Sequence, residues 1–368
     1  MRSSAFGGCY HSHETLHAAE TCRPSYLHRG LGEKMTSSSS HASHSRPCKS
    51  ACYSGFIGSW VVRTLLERGY RVRATVRTQE KGQYLERLFE VYDEEFEYVI
   101  VENCTQEGAF DHVLDGIDAV EHHAYPLAGN PDDFISVAVR GTIVLLTSVL
   151  NHGHSVGRVV ITSSAAAVME PREAGHRYTE AEWNCFSVRE IQAKGMKADA
   201  LHKYRASKTL AEKAAWEFVS KHQDSIAWDL IAILPTIVYG PVIHQVESFE
   251  QLNYSNQLLY DSVLHERGPT DPGVNWTDVR DVAEIHVRLL EKQCAGNNRF
   301  IVSAGEPGIT FCRILPTSMF CRRPFMARII RCLEVRLSPP VWGTSRKAGK
   351  SDGSATICIF LRESRWAS

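Results

Sequence analysis

The sequence predicts an α/β protein with a doubly wound parallel sheet, helices on both faces, and a small C-terminal substrate lobe. Three observations carry this. Short runs rich in Val, Ile or Tyr alternate with helical patterns through the middle of the 368-residue chain. A glycine turn, Ser54-Gly-Phe-Ile-Gly-Ser59, stands directly ahead of an apolar helix. Tyr204 and Lys208 lie four residues apart on a helical pattern, downstream of the strand-like run Arg158 to Ser164.

Strands are expected over Arg71 to Arg77, Phe96 to Glu102, Asp118 to His122, Arg158 to Ser163, Trp228 to Leu234 and Arg299 to Ser303. Helices are expected over Gly58 to Glu67, Tyr84 to Tyr92, Phe110 to Leu114, Asp133 to Leu150, Tyr204 to Lys221 and Val279 to Lys292. Such alternation implies right-handed crossovers and a parallel sheet, whose ligands bind beyond the carboxyl ends of the strands. Ser163, Ser164 and the Tyr204 helix belong at that end.

The glycine turn is half of a dinucleotide fingerprint. Gly55 and Gly58 let backbone approach a pyrophosphate, and with Phe56 and Ile57 they open a helix whose free N–H groups favour an anion. About twenty residues on, where an acidic group would bind the ribose hydroxyls of NAD, the chain has Arg73-Ala-Thr-Val-Arg77. Arg77, with Lys81 as a second cation, therefore suggests a 2′-phosphate and NADP, with NAD the lesser alternative.

Tyr204 and Lys208 project from one helix face about a turn apart, so an ammonium there favours an ionised phenol. A free phenol with pKa about 10 is a sluggish acid or base at neutral pH, and lowering it by about 3 units takes roughly 4 kcal/mol. Leu210, Ala214, Ala215 and Phe218 form an apolar stripe on the same helix, which reads as core packing.

Together with Leu-Leu-Glu-Arg-Gly-Tyr70, Arg-Val-Val-Ile-Thr-Ser-Ser164 and Leu-Pro-Thr-Ile-Val-Tyr-Gly-Pro241, these motifs resemble the extended short-chain dehydrogenases/reductases of the NAD-dependent epimerase/dehydratase family. The closest resemblance is to the dihydroflavonol reductase and cinnamoyl-CoA reductase group with its fungal aldehyde and ketone reductase relatives, over roughly Ser54 to Thr310. It implies a Rossmann-like fold, with Tyr204 protonating a carbonyl oxygen, Lys208 holding the nicotinamide ribose, and Ser164 polarising the carbonyl. Strand alternation alone does not choose between Ser163 and Ser164. By the same resemblance Pro235 to Val238 lie against the nicotinamide, and Asn103 stands where the family carries an adenine-contacting aspartate.

The chain also departs from the pattern. Cys52 replaces the first glycine, Tyr53 follows it, and the first strand is missing, which predicts steric conflict at the pyrophosphate and a serious loss of stability. His123 and Tyr125 replace small hydroxyl residues beside the cofactor, a further obstacle by bulk. Asp278 and Asp281 read as caps of the following helix, Trp183 and Trp276 as packing residues, and His286 as a packed helical histidine.

Residues 1–53, with six histidines in the first fifty and the Ser37 to Ser40 tract, read as a disordered extension. The dinucleotide-binding domain then covers 54–240 and a partial substrate lobe 241–310. Residues 311–368 read as a divergent, poorly ordered tail, and both ends suggest an imperfect gene model or alternative splicing around an intact middle. The Cys and His spacings match no zinc pattern, so no metal is expected. The formal net charge of −1 gives no reason to expect nucleic acid, and no apolar run reads as a membrane span. Eleven scattered cysteines fit a reducing, cytoplasmic setting.

The expected activity is NADP(H)-dependent reduction of a small aldehyde or ketone by a monomer or homodimer. A sugar epimerase or dehydratase holding NAD, and a catalytically impaired non-enzyme, are the alternatives.

Overall fold

The computed structural model of the chain describes residues 55–123, 131–173, 175–264, 275–304 and the strand 358–362. Helix α1 (Phe56–Glu67) leads into strand β1 (Arg71–Val76), α2 (Gln79–Leu88), β2 (Phe96–Ile100) and β3 (Ala119–His122). Then come α3 (Phe134–His152), β4 (Arg158–Thr162), α4 (Cys185–Lys194), α5 (Ala200–Lys221) and β5 (Asp229–Pro235). The series closes with β6 (Ile237–Tyr239), α6 (Tyr254–Leu264), β7 (Trp276–Asp278), α7 (Val279–Glu291), β8 (Asn298–Val302) and β9 (Cys358–Arg362).

Seven strands form the main sheet in the order β2-β1-β9-β3-β4-β5-β8. The pairs β1/β2, β3/β4, β4/β5 and β5/β8 are all parallel, as strand–helix alternation requires. β6 and β7 make a separate two-stranded parallel ladder.

Alternation sorts the strand side chains onto two cores. Ile231 and Ile233 of β5, Val160 of β4 and Val72, Ala74 and Val76 of β1 join one core with α1 and α7. Leu230, Ala232 and Leu234, with Val159 and Ile161, join the other with α3 and α5. Helices thus cover both faces, which is why the strands read as continuous apolar runs.

Two expectations are corrected here. The slot where the first strand of such a fold belongs is filled by β9, from within the segment read as a poorly ordered tail. It runs antiparallel to both neighbours, with Phe360 opposite Arg73 on one side and Val120 on the other. An antiparallel strand makes full ladders with both edges, so the loss of stability expected from an empty slot has a backbone remedy. Second, α3 is long and apolar enough to cross a membrane by length and composition. Its apolarity has a different use: Leu145, Leu146 and Val149 are buried in the second core.

Helix ends are set by sequence. Asp199 accepts from His202 N at 2.8 Å and caps α5, so Tyr204 stands in the second turn of that helix rather than at its opening. Asn184 caps α4, a helix absent from the sequence reading. Asp278 caps α7 and pairs with Arg280, as expected. The buried Arg158, at the start of β4, donates to the carbonyls of Leu289, Leu290 and Lys292 at 2.7 to 2.9 Å and pairs bidentately with Asp229. It thereby supplies the donors that the C-terminus of α7 lacks. At Gly240, φ is +141° and an added Cβ would stand 2.7 Å from Val279 Cγ1. Only glycine permits that approach of β6 to α7.

The expectations for residues 1–53, and for Cys52, Tyr53 and Tyr125, lie outside the described residues.

Candidate functional site

β4 ends at Thr162, and the next two residues diverge in use. Ser163 is buried and donates to Glu212 Oε2 on α5. Ser164 turns the other way: its Oγ accepts from Ala166 N at 3.1 Å and is hydrogen-bonded to the Tyr204 hydroxyl. The register therefore resolves the choice that alternation left open, and Ser164 is the serine beside the phenol.

Helix spacing sets the rest. Lys208, one turn beyond Tyr204, is buried and donates from Nζ to the Thr162 carbonyl at 3.3 Å. Glu212 follows one turn later, receiving Ser163, Arg299 Nε at 2.6 Å and Trp216 Nε1 at 3.2 Å. The guanidinium of Arg299 also lies 3.7 Å over the Trp183 ring, so Trp183 is a packing residue as expected. Glu212 and Arg299 were missed in the sequence. The available signal was the i, i+4 spacing of Lys208 and Glu212.

Electrostatics corrects one expectation. Burial raises the Tyr204 phenol above its ordinary value, against the smaller lowering effects of the Ser164 hydrogen bond and the Arg205 charge. Burial also lowers the Lys208 ammonium, to about 7, with Glu212 opposing. Burial of this phenol thus favours its protonated form.

On the other side of the sheet, Gly55 is the N-cap of α1 and supplies no side-chain cap, and a helix N-terminus suits an anion. Ser59 is fully buried and its Oγ has no hydrogen-bond partner. Phe56 packs 5.9 Å from the His244 ring. Arg77 is half-buried at the end of β1, and Lys81 follows in the first turn of α2. Burial lowers both, and the charge of Arg77 lowers Lys81 further. Two neighbouring cations that repel one another beside a helix N-terminus suit a phosphate, so the residues present fit the phosphates of NADP.

The remaining predicted positions divide. Pro235 ends β5 buried against β8, and Val238 is buried in β6. Asn103 is exposed and spends its Oδ1 on Thr105 N and Oγ1, at 3.0 and 2.8 Å, in a local turn. His123 is buried in the core, with Nδ1 2.6 Å from Thr162 Oγ1, so its bulk is taken up by the interior rather than standing as an obstacle.

Residues 53–305 match the model of the NAD dependent epimerase/dehydratase family. Among curated proteins, the ketoreductase azaE of Aspergillus niger is 36% identical over 264 residues, covering 68% of this chain and 76% of its own. The NADPH-dependent methylglyoxal reductase GRE2 of Saccharomyces cerevisiae is 33% identical over 265 residues, covering 68% and 75%. The crystal structure of Candida albicans Gre2 in complex with NADPH matches at a TM-score of 0.61 and 34% identity, covering 68% of this chain and 76% of that one.

Proposed function

The chain belongs to the NAD dependent epimerase/dehydratase family, and from that premise we infer an NADPH-dependent reductase of a small aldehyde or ketone with Tyr204 as its proton donor. The observation that carries the assignment of roles is the hydrogen bond between Ser164 and a protonated Tyr204 at the carboxyl end of β4. Bound NADPH supplies the hydride.

The protein's own part is to place two O–H donors where negative charge grows on the carbonyl oxygen. Ser164 Oγ polarises that oxygen, and Tyr204 delivers its proton to it as the C–O bond becomes an alcohol. Burial suits this direction, because a raised phenol pKa keeps the proton in place until the oxygen can take it. Lys208, poised near neutrality by its own burial, sits under the pair and fixes the end of β4 through the Thr162 carbonyl.

Arg77 and Lys81 supply the preference for the 2′-phosphate, and Gly55 to Gly58 face the pyrophosphate. Pro235 and Val238 line the nicotinamide side. The reading extends to a cytoplasmic enzyme acting as a monomer or homodimer, supported by the near-neutral formal charge.

The test is NADPH oxidation by the purified full chain across a panel of small aldehydes and ketones, with NADPH binding measured in parallel by fluorescence. Turnover of at least one carbonyl with NADPH favoured over NADH is expected. Saturable binding without turnover would remove the proposed roles of Ser164 and Tyr204. Purification with NAD bound and no carbonyl reduction would favour the epimerase alternative.

A further inference from the structure

On the α7 face of the sheet, alternation brings together side chains far apart in sequence. Glu121 and His123 lie on the same face as Val160 and Thr162 of β4, and His286 of α7 closes over them. The side chains of Glu121 and His286 are 0% exposed and that of His123 is 1%. His286 Nδ1 lies 2.7 Å from Glu121 Oε2, and His123 Nε2 lies 3.7 Å from the same oxygen.

Hydrogen-bond accounting leaves this cluster incomplete. His286 Nδ1–H donates to Glu121, so its Nε2 accepts from the Thr162 hydroxyl at 3.2 Å. Thr162 Oγ1 then accepts from His123 Nδ1–H at 2.6 Å. Two buried atoms remain without a partner, the carboxylate Glu121 Oε1 and the imidazole nitrogen His123 Nε2. Both carry lone pairs, and each such orphan costs about 1–3 kcal/mol. An ion that took up both lone pairs would remove that cost.

We propose that Glu121, His123 and His286 form a buried site for one divalent transition-metal ion of the zinc class. One ligand atom from each residue lies within 4.8 Å of the others. Ligands at roughly 2.0–2.1 Å from a tetrahedral zinc stand about 3.3 Å apart, and the observed 2.7 and 3.7 Å bracket that spacing. Two imidazoles and one carboxylate select zinc and its neighbours over magnesium or calcium, which ask for more oxygen ligands.

Thr162 completes the argument. With the metal on His123 Nε2 and His286 Nδ1, both distal N–H groups donate to the two lone pairs of Thr162 Oγ1, which fixes both rings. The ion would tie β3 to α7, directly behind the strand end that Lys208 holds.

The test uses untagged full-length protein, its zinc content measured by mass spectrometry, with the apoprotein titrated with Co2+ and followed by visible absorption. One equivalent of zinc per chain and a visible cobalt band are expected. His123→Asn should weaken Co2+ binding at least about 10-fold, and Thr162→Val, which removes only the orienting group, about 10- to 100-fold. Because His286→Ala risks misfolding, Glu121→Gln serves as the second ligand variant, with folding checked by circular dichroism. Zinc far below one equivalent, or undiminished metal in folded His123→Asn, would overturn the proposal. The second result would place the metal elsewhere, such as among the six histidines of the first fifty residues.

Discussion

On the β4–α5 side of the sheet, each side chain proposed for proton transfer is held by other protein groups. Ser164 meets Tyr204 and Ala166 N, Lys208 meets the Thr162 carbonyl, and Ser163 is tied to the Glu212–Arg299 pair behind them. On the β1–α1 side, the groups proposed for NADPH are cations held near one another and a helix N-terminus without a side-chain cap. Between the two sides runs β9, the only antiparallel strand of the main sheet among the described residues. One half is organised around its own hydrogen bonds, and the other gathers positive charge beside a helix N-terminus.

The largest expected effect comes from breaking the seam itself. Phe360→Pro removes a backbone donor from a strand paired on both sides and should cost about 3 kcal/mol or more, seen as a fall in the thermal midpoint. An unchanged midpoint would mean that the two halves do not depend on β9. Next, Tyr204→Phe should lower kcat by about 10²- to 10⁴-fold while NADPH binding persists. Loss of binding instead would show that the two halves are not separable.

The paired serines sharpen the comparison within one half. Ser164→Ala should lower kcat by about 10²-fold at unchanged stability. Ser163→Ala should lower stability by about 1–3 kcal/mol, because it takes a donor from buried Glu212. Reversal of those two outcomes in kinetics and denaturation would exchange their roles. On the cofactor side, Arg77→Ala should raise KM for NADPH by about 10-fold or more and leave KM for NADH nearly unchanged.

Lys208 gives the most diagnostic effect. Its folded pKa of about 7 lies below the ordinary 10.5, so the unfolded chain binds the extra proton between those values and stability rises with pH across that window. Lys208→Met should therefore be more stable than the parent at pH 7 and lose that advantage by about pH 10.5. Equal midpoints at both pH values would mean that the ammonium is not destabilised by burial.

Much of this architecture was legible because it rests on local patterns. Six strands and the helices α1, α3, α5 and α7 follow runs whose burial the sheet enforces, and the Tyr204–Lys208 spacing needs only one helix. What escaped depends on long-range contact. Glu212 gains its meaning from Arg299 on β8, and Arg158 from the end of α7. The expected lowering of the Tyr204 phenol failed because spacing alone says nothing of the desolvation that dominates it. Glu121 and His123 share the spacing of a strand face, but His286 lies 165 residues from Glu121, and β9 gave no periodic signal that separated it from its neighbours.

β9 also sets a timetable. Arg71 pairs with Arg362, about 290 residues later, so the middle of the sheet stays open until residue 362 has left the ribosome. At about 5–20 residues per second that interval is roughly 15–60 seconds, long beside the folding of either half. Throughout it β1 and β3 present bare strand edges, the surfaces on which chains join one another instead of themselves. The yield of this protein in a cell is therefore expected to depend on how well those two edges are shielded while the last strand is still being made.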